Sequence, residues 1–132
     1  MVKPDGTSRG LTEQVLNRIS KANLKILVSK FQNVTIEEAR KLYKVHEDKP
    51  FYEGLVKFLT TGPVFLLKLE GEDAVKTLRG IMGATDPRKA EKGTIRGDFK
   101  EENIFNSDGI IKNIVHGSDS VENAKYELSI FF

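Results

Sequence analysis

A chain of 132 residues with 39% hydrophobic residues is long enough for one cored domain, residues 1–132, and too apolar for a disordered one. Having no cysteine, it lacks disulfides, thiolate metal sites and thiol catalysis, which suits a reducing, cytoplasmic setting. The net charge of +2 comes from 21 Lys and Arg interleaved with 19 Asp and Glu, so no basic stripe marks a nucleic-acid binder; there is no signal-peptide core and no apolar stretch long enough to span a bilayer.

Met1-Val2 reads as the end of a strand, stopped by the turn-forming run Lys3-Pro4-Asp5-Gly6. Leu11, Val15, Ile19 and Ala22 recur at helical spacing, which predicts an amphipathic helix from Ser8 to about Ala22. Leu24 to Val34 mixes Ile, Leu, Val and Phe with polar residues in the manner of a strand. Thr35 with Glu38 forms a capping-box pattern for a helix through about Lys44, and a further helix is expected from Pro50 to Thr60 with Leu55, Phe58 and Leu59 inward. After the Gly62-Pro63 break, Val64 to Leu69 is a buried-strand candidate, and Ala74, Val75, Leu78, Ile81 and Met82 stripe a helix over Glu72–Met82 that Gly83 caps. Ala84 to Gly109 is polar and irregular, and loops of that length are usually functional or disordered. Ile110 to Val115 reads as a strand, and Asp119 with Glu122 opens a last helix through about Leu128. The order fits an α+β fold, a ferredoxin-like βαββαβ core in which helices cover one face of a four-stranded antiparallel sheet.

Asn113-Ile114-Val115-His116-Gly117-Ser118-Asp119-Ser120 carries the most chemical information. Without a thiol, the His116 imidazole is the strongest neutral-pH nucleophile available without special activation. It needs a partner to fix its tautomer. Glu127 falls beside the apolar face of the last helix, where its carboxylate could reach back to His116, although on spacing alone a solvated glutamate is the commoner reading. Lys3, Arg79, Arg88, Lys92 and Arg96 stand at element ends or in the long segment, so phosphorus is the electrophile that suits the site. Each of them singly is most often a surface charge. No P-loop, dinucleotide fingerprint or metal-cage spacing is present; a metal would be Mg²⁺ arriving on substrate phosphates. His46 reads as an exposed helix-end residue, and Phe51 and Tyr52 as core or as an aromatic wall for a base.

The octapeptide resembles the active-site signature of nucleoside diphosphate kinases. Further blocks agree in order: Lys3-Pro4-Asp5-Gly6 with Arg9-Gly10-Leu11, Pro50-Phe51 with Gly54-Leu55-Val56, and Gly62-Pro63-Val64. Gly83-Ala84-Thr85-Asp86-Pro87, Gly93-Thr94-Ile95-Arg96-Gly97-Asp98-Phe99 and Glu127-Leu128-Ser129-Ile130-Phe131-Phe132 complete the set, over the whole chain. The resemblance implies a ping-pong transfer of the γ-phosphoryl of a nucleoside triphosphate, typically ATP, to a nucleoside diphosphate through phosphohistidine at His116. It implies phosphate contacts from Lys3, Arg79, Thr85 and Arg96, and a ribose and phosphate contact from Asn113. It also implies Phe51 stacking on the base with Leu55 beside it, and Tyr43 and Glu127 supporting His116. Mg²⁺ would bridge the phosphates, with Asp119 nearby through water and no direct protein ligand. A homo-oligomer, hexamer or tetramer, is implied, with no membrane or specific nucleic-acid partner.

The chain departs from the family pattern in three places. It begins at Met1 inside what the pattern has as a longer first strand, which leads us to expect a shortened strand or a fragment. Lys100 to Lys112 is longer than the common form, and the chain ends at Phe132 without a tail. Two other classes stay open on the residues alone: a non-catalytic nucleotide-binding module on the same scaffold, and a nucleic-acid-binding protein.

Overall fold

The computed structural model describes residues 1–132. Pro4, pre-set in φ, opens a short helix α1 (Pro4–Ser8) where the sequence suggests a turn. Helix α2 (Thr12–Lys21) buries Val15 and Ile19 one turn apart. Strand β1 (Lys25–Gln32) pairs antiparallel with β2 (Val64–Glu70), with an irregularity in register between Ile26 and Val28. Between them lie α3 (Ile36–Leu42), a 3-10 turn (Lys44–His46) and α4 (Tyr52–Leu59). The expected capping box is present: Thr35 Oγ1 accepts from the Glu38 N–H at 3.1 Å, and Glu38 Oε1 accepts from the Thr35 N–H at 3.0 Å. Then follow α5 (Ala74–Met82), capped by Gly83, a 3-10 turn (Pro87–Lys89), α6 (Ile95–Phe99) and α7 (Val121–Phe131).

The four-stranded sheet is found only in reduced form. Two full strands are joined by single-residue bridges, Val2 to Phe65 and Val2 to Val115, giving the lateral order β1, β2, Val2, Val115. On one side of Val2 the helix starts at Pro4. On the other, Ile114 has φ 75°, and an extended strand cannot pass through that conformation. The expected strand Ile110–Val115 is therefore absent.

Helices cover both faces of the sheet rather than one. Phe65, Leu67 and Leu69 of β2 pack toward the cluster of Val15, Ile19, Met82, Ile95 and Ile114, while Val64 and Leu66 join Val56, Leu59 and Phe131 on the other side. The nearly continuous apolar run of β2, Val64 to Leu67 and Leu69, makes this possible, because both of its faces are worth burying. In α4 the buried residues are Val56, Phe58 and Leu59, whereas Leu55 is only half-buried. The last helix is capped by Ser120, whose hydroxyl accepts from the Asn123 N–H at 3.0 Å, and not by the expected Asp119–Glu122 pair. The Asp119 carboxylate instead pairs with the Asn123 side chain. No helix is long and apolar enough to cross a membrane.

Candidate active site

The segment leading to His116 is held by contacts from the opposite end of the chain. Ile114 is fully buried in the left-handed region, which costs an L residue roughly 1–2 kcal/mol. Its N–H donates to Asp5 Oδ2 at 2.8 Å and its carbonyl accepts from the Lys3 N–H at 2.8 Å. His116 in turn donates its N–H to the Met1 carbonyl at 2.9 Å. A Cβ at Gly117 would lie 2.6 Å from Met82 Sδ, so a larger residue after the histidine would push the Met82 side chain of α5 aside.

The His116 Nε2 lies 2.6 Å from Glu127 Oε1, on α7. Burial pushes the imidazole below its ordinary 6.5, outweighing the opposing pull of Glu127, so the ring is neutral at pH 7. Burial opposes ionisation of Glu127, but hydrogen bonds from His116 and Ser118 overcome it and hold the carboxyl below its usual range. A carboxylate facing a neutral ring assigns the proton to Nε2 and leaves the Nδ1 lone pair free. Ser118 Oγ donates to the same Oε1 at 2.9 Å and so fixes the carboxylate from a second direction.

Lys3 is 5% exposed, lies over the Phe58 ring at 5.1 Å, and donates through Nζ to Asn113 Oδ1 at 2.8 Å. Burial lowers it to about 8, against the attraction of Asp5. Asn113 Nδ2 donates to the Thr85 carbonyl at 3.0 Å, tying the exposed Thr85 segment to the same corner. Arg96, also buried, donates to three main-chain carbonyls: Asn113 at 3.1 Å, Gly83 at 3.0 Å and Val115 at 2.8 Å. It thus braces the His116 segment and keeps two of its five N–H groups for another acceptor. Burial and then the Arg79 guanidinium lower it to about 10, so it stays cationic at neutral pH. Arg79 is exposed, within electrostatic range of both Arg96 and Asp119.

Tyr43 is buried within electrostatic range of Glu127 and Asp5; burial raises its hydroxyl well above the usual range, so it stays protonated, and it makes no hydrogen bond to His116. Phe51 is 44% exposed and its ring lies 5.4 Å from that of His46. His46 is therefore half-buried against Phe51, not the exposed residue the sequence suggests. One of the five expected phosphate cations is committed elsewhere. Arg88 grips Asp86 through Nε and Nη2 (3.1 and 2.8 Å), while Lys92 stands only within electrostatic range of Asp98, which pairs with Arg18 at 2.7 Å.

Sequence reasoning passed over Asp5 and Ser118. Asp5 looked like a turn residue, and only its hydrogen bond to Ile114, 109 positions away, reveals what it holds. Ser118 stood in the octapeptide without a role, although a hydroxyl two residues after a histidine that needs a carboxylate was a usable signal. No three carboxylates or imidazoles gather as a metal cage. Mg²⁺ that keeps its waters and rides on phosphates needs only one or two carboxylates, and the exposed, ionised Asp119 fits that requirement.

Residues 1–132 match the family described as nucleoside diphosphate kinase. A nucleoside diphosphate kinase of Anaeromyxobacter sp. (strain Fw109-5) is 52% identical over 132 residues, all of this chain and 86% of the relative. One from Staphylococcus carnosus (strain TM300) is 46% identical, over all of this chain and 83% of its own. Among solved structures, a halophilic nucleoside diphosphate kinase from Halobacterium salinarum in complex with CDP superimposes with a TM-score of 0.88 at 44% identity, covering 99% of this chain and 83% of that one.

Proposed function

The chain belongs to the nucleoside diphosphate kinase family and is a phosphotransferase of that activity, and we propose that His116 is its phosphoryl carrier, within one domain spanning residues 1–132. The observation that carries this reading is the 2.6 Å contact between His116 Nε2 and Glu127 Oε1. With Nε2–H donating to Glu127, the Nδ1 lone pair attacks the γ-phosphorus of a nucleoside triphosphate. The bond to the β,γ-bridging oxygen breaks and the nucleoside diphosphate leaves with that electron pair. The phosphorylated ring carries positive charge, which the Glu127 carboxylate stabilises. A second nucleoside diphosphate then takes the phosphoryl group through a terminal oxygen, and Nδ1 recovers its lone pair. No proton need leave the ring in either half.

In this reading Lys3, Arg79 and Arg96 face the developing charge on the transferring group, where fixed cations lower the barrier most. Thr85 and Asn113 orient the phosphate and ribose ends, and Tyr43 supports the histidine from the core side. Phe51, with Leu55 beside it, stacks on the base; every base offers a π-face, so the acceptor range is broad. Mg²⁺ carried by the substrate would supply further charge neutralisation, and Asp119 is the residue that would help hold it through water.

Assembly as a homo-oligomer, hexamer or tetramer, is part of the proposal. It is supported by the outer strand β1, which leaves Leu27, Val28 and Phe31 exposed along an unpaired edge. We place the protein in the cytoplasm, a setting compatible with a cysteine-free chain.

Incubation with γ-labelled ATP tests the reading. Acid-labile, base-stable label on the protein, chased onto added diphosphates and absent from His116→Ala, is the expected result. A folded wild-type protein that takes up no label would overturn it.

A further inference from the structure

The proposed base wall and the proposed phosphate loop are separate pieces of structure. Phe51 belongs to the start of α4, Thr85 to the segment after α5, and no hydrogen bond or ion pair joins α4 to residues 84–92. The segment Ile104–Lys112 touches both.

This segment is a compact hairpin. Phe105 bridges Ile111, the Lys112 N–H donates to the Ile104 carbonyl at 2.6 Å, and the Asn106 N–H donates to the Ile110 carbonyl at 2.9 Å. Asn106 Oδ1 caps the turn by accepting from the Asp108 and Ile110 N–H groups, each at 2.9 Å. On the α4 side Ile110, 5% exposed, fits the notch at Gly54; a Cβ there would lie 2.8 Å from Ile110 Cδ1. Asp108 pairs with Lys57 at 3.3 Å on the next turn of α4. On the other side the Arg88 guanidinium, held by Asp86, lies 5.3 Å from the Phe105 ring centroid. The hairpin then runs into Asn113, which holds Thr85 and Lys3.

We propose that the hairpin Ile104–Lys112 is a strap that fixes the separation of the α4 wall from the Thr85–Lys89 loop, with Phe105 as the positioning residue on the loop side. The role follows from the double attachment: α4 and the loop cannot move apart without pulling Ile110 from Gly54 or Phe105 from Arg88. It rests on the proposed nucleotide site for its consequence in binding, but the mechanical coupling stands on the contacts alone.

The experiment compares Phe105→Ala, Phe105→Tyr and Asp108→Ala with wild type in two readouts. Losing an exposed cation–π contact corresponds to about a two- to fivefold effect. Phe105→Ala is therefore expected to raise KM for diphosphate acceptors by that factor with kcat nearly unchanged, and Phe105→Tyr, which keeps the ring, to restore it. Asp108→Ala should act in the same direction. In amide hydrogen exchange, Phe105→Ala should speed exchange in residues 84–92 and leave the paired strands β1 and β2 unaltered. Unchanged KM and unchanged exchange in residues 84–92 overturn the strap, as does a uniform loss of protection across the molecule. If wild type carries no phosphoryl group on His116, the proposed function fails, and the exchange readout still decides the coupling.

Discussion

Asp5 Oδ2 accepts the N–H of Ile114 at 2.8 Å and holds a β-branched residue at φ 75°, two positions before His116. A hydrogen bond to a charged group contributes about 1.5–3 kcal/mol, enough to offset the strain of roughly 1–2 kcal/mol in that conformation. Asp5→Ala should therefore lower the thermal midpoint and slow phosphorylation of His116 together. Ile114→Gly relieves the strain but deletes a fully buried side chain, a loss of about 2–5 kcal/mol for comparable truncations, so it too should destabilise. A stabilised Ile114→Gly protein would show that packing at this site matters less than the backbone.

Glu127→Gln keeps the shape of the contact and removes the charge that stabilises the phosphorylated ring. Losing a charge-assisted hydrogen bond of about 1.5–3 kcal/mol predicts roughly ten- to hundredfold slower labelling of His116. Nucleotide affinity should stay near wild type. Rapid-quench measurement of the first half-reaction checks this, and unchanged labelling would remove Glu127 from the mechanism.

Ser118→Ala leaves Glu127 with one hydrogen bond fewer and tests positioning rather than charge. The expected result is a smaller loss in kcat than for Glu127→Gln, with KM unchanged. A rise in KM without a kcat effect would assign Ser118 to substrate contact instead.

The pH dependence follows from two groups shifted in the same direction. Attack requires neutral His116, whose value is pushed below 6.5, so the acid limb of kcat/KM should lie below pH 6.5. Glu127 raises that value, so Glu127→Gln should move the limb to still lower pH. Lys3 is protonated below about 8 and loses its charge above, so kcat/KM should fall as pH rises through that value. In Lys3→Arg that basic limb should vanish even if the rate drops; a persistent limb would point to another group. Lys3 also makes stability rise with pH between about 8 and 10.5, because there the unfolded chain binds the proton that the folded one has lost.

Phe51→Ala should raise KM for purine and pyrimidine diphosphates alike, by about 1–3 kcal/mol of lost stacking. Steady-state kinetics with four acceptors decides it. A loss confined to one base would mean edge recognition rather than stacking.

The sequence alone was enough for the helices whose signals are local: the apolar stripes of α2 and α5 and the Thr35–Glu38 cap of α3. Local order also carries the family blocks in which His116, Glu127, Lys3, Arg96 and Asn113 stand. Such signals act over a few residues and survive in any tertiary context. What needed the tertiary structure are features made by contacts across the whole chain. Ile110–Val115 reads as a strand, yet Asp5 and Lys3 hold Ile114 in a left-handed turn from more than 100 positions away. Arg96 reads as a free phosphate ligand, yet three main-chain carbonyls engage it. The irregular run after Ala84 conceals a helix and a hairpin that ties Gly54 to Arg88. Composition and periodicity carry no record of those partners, because which hydrogen bonds a buried polar group makes depends on what folding brings beside it.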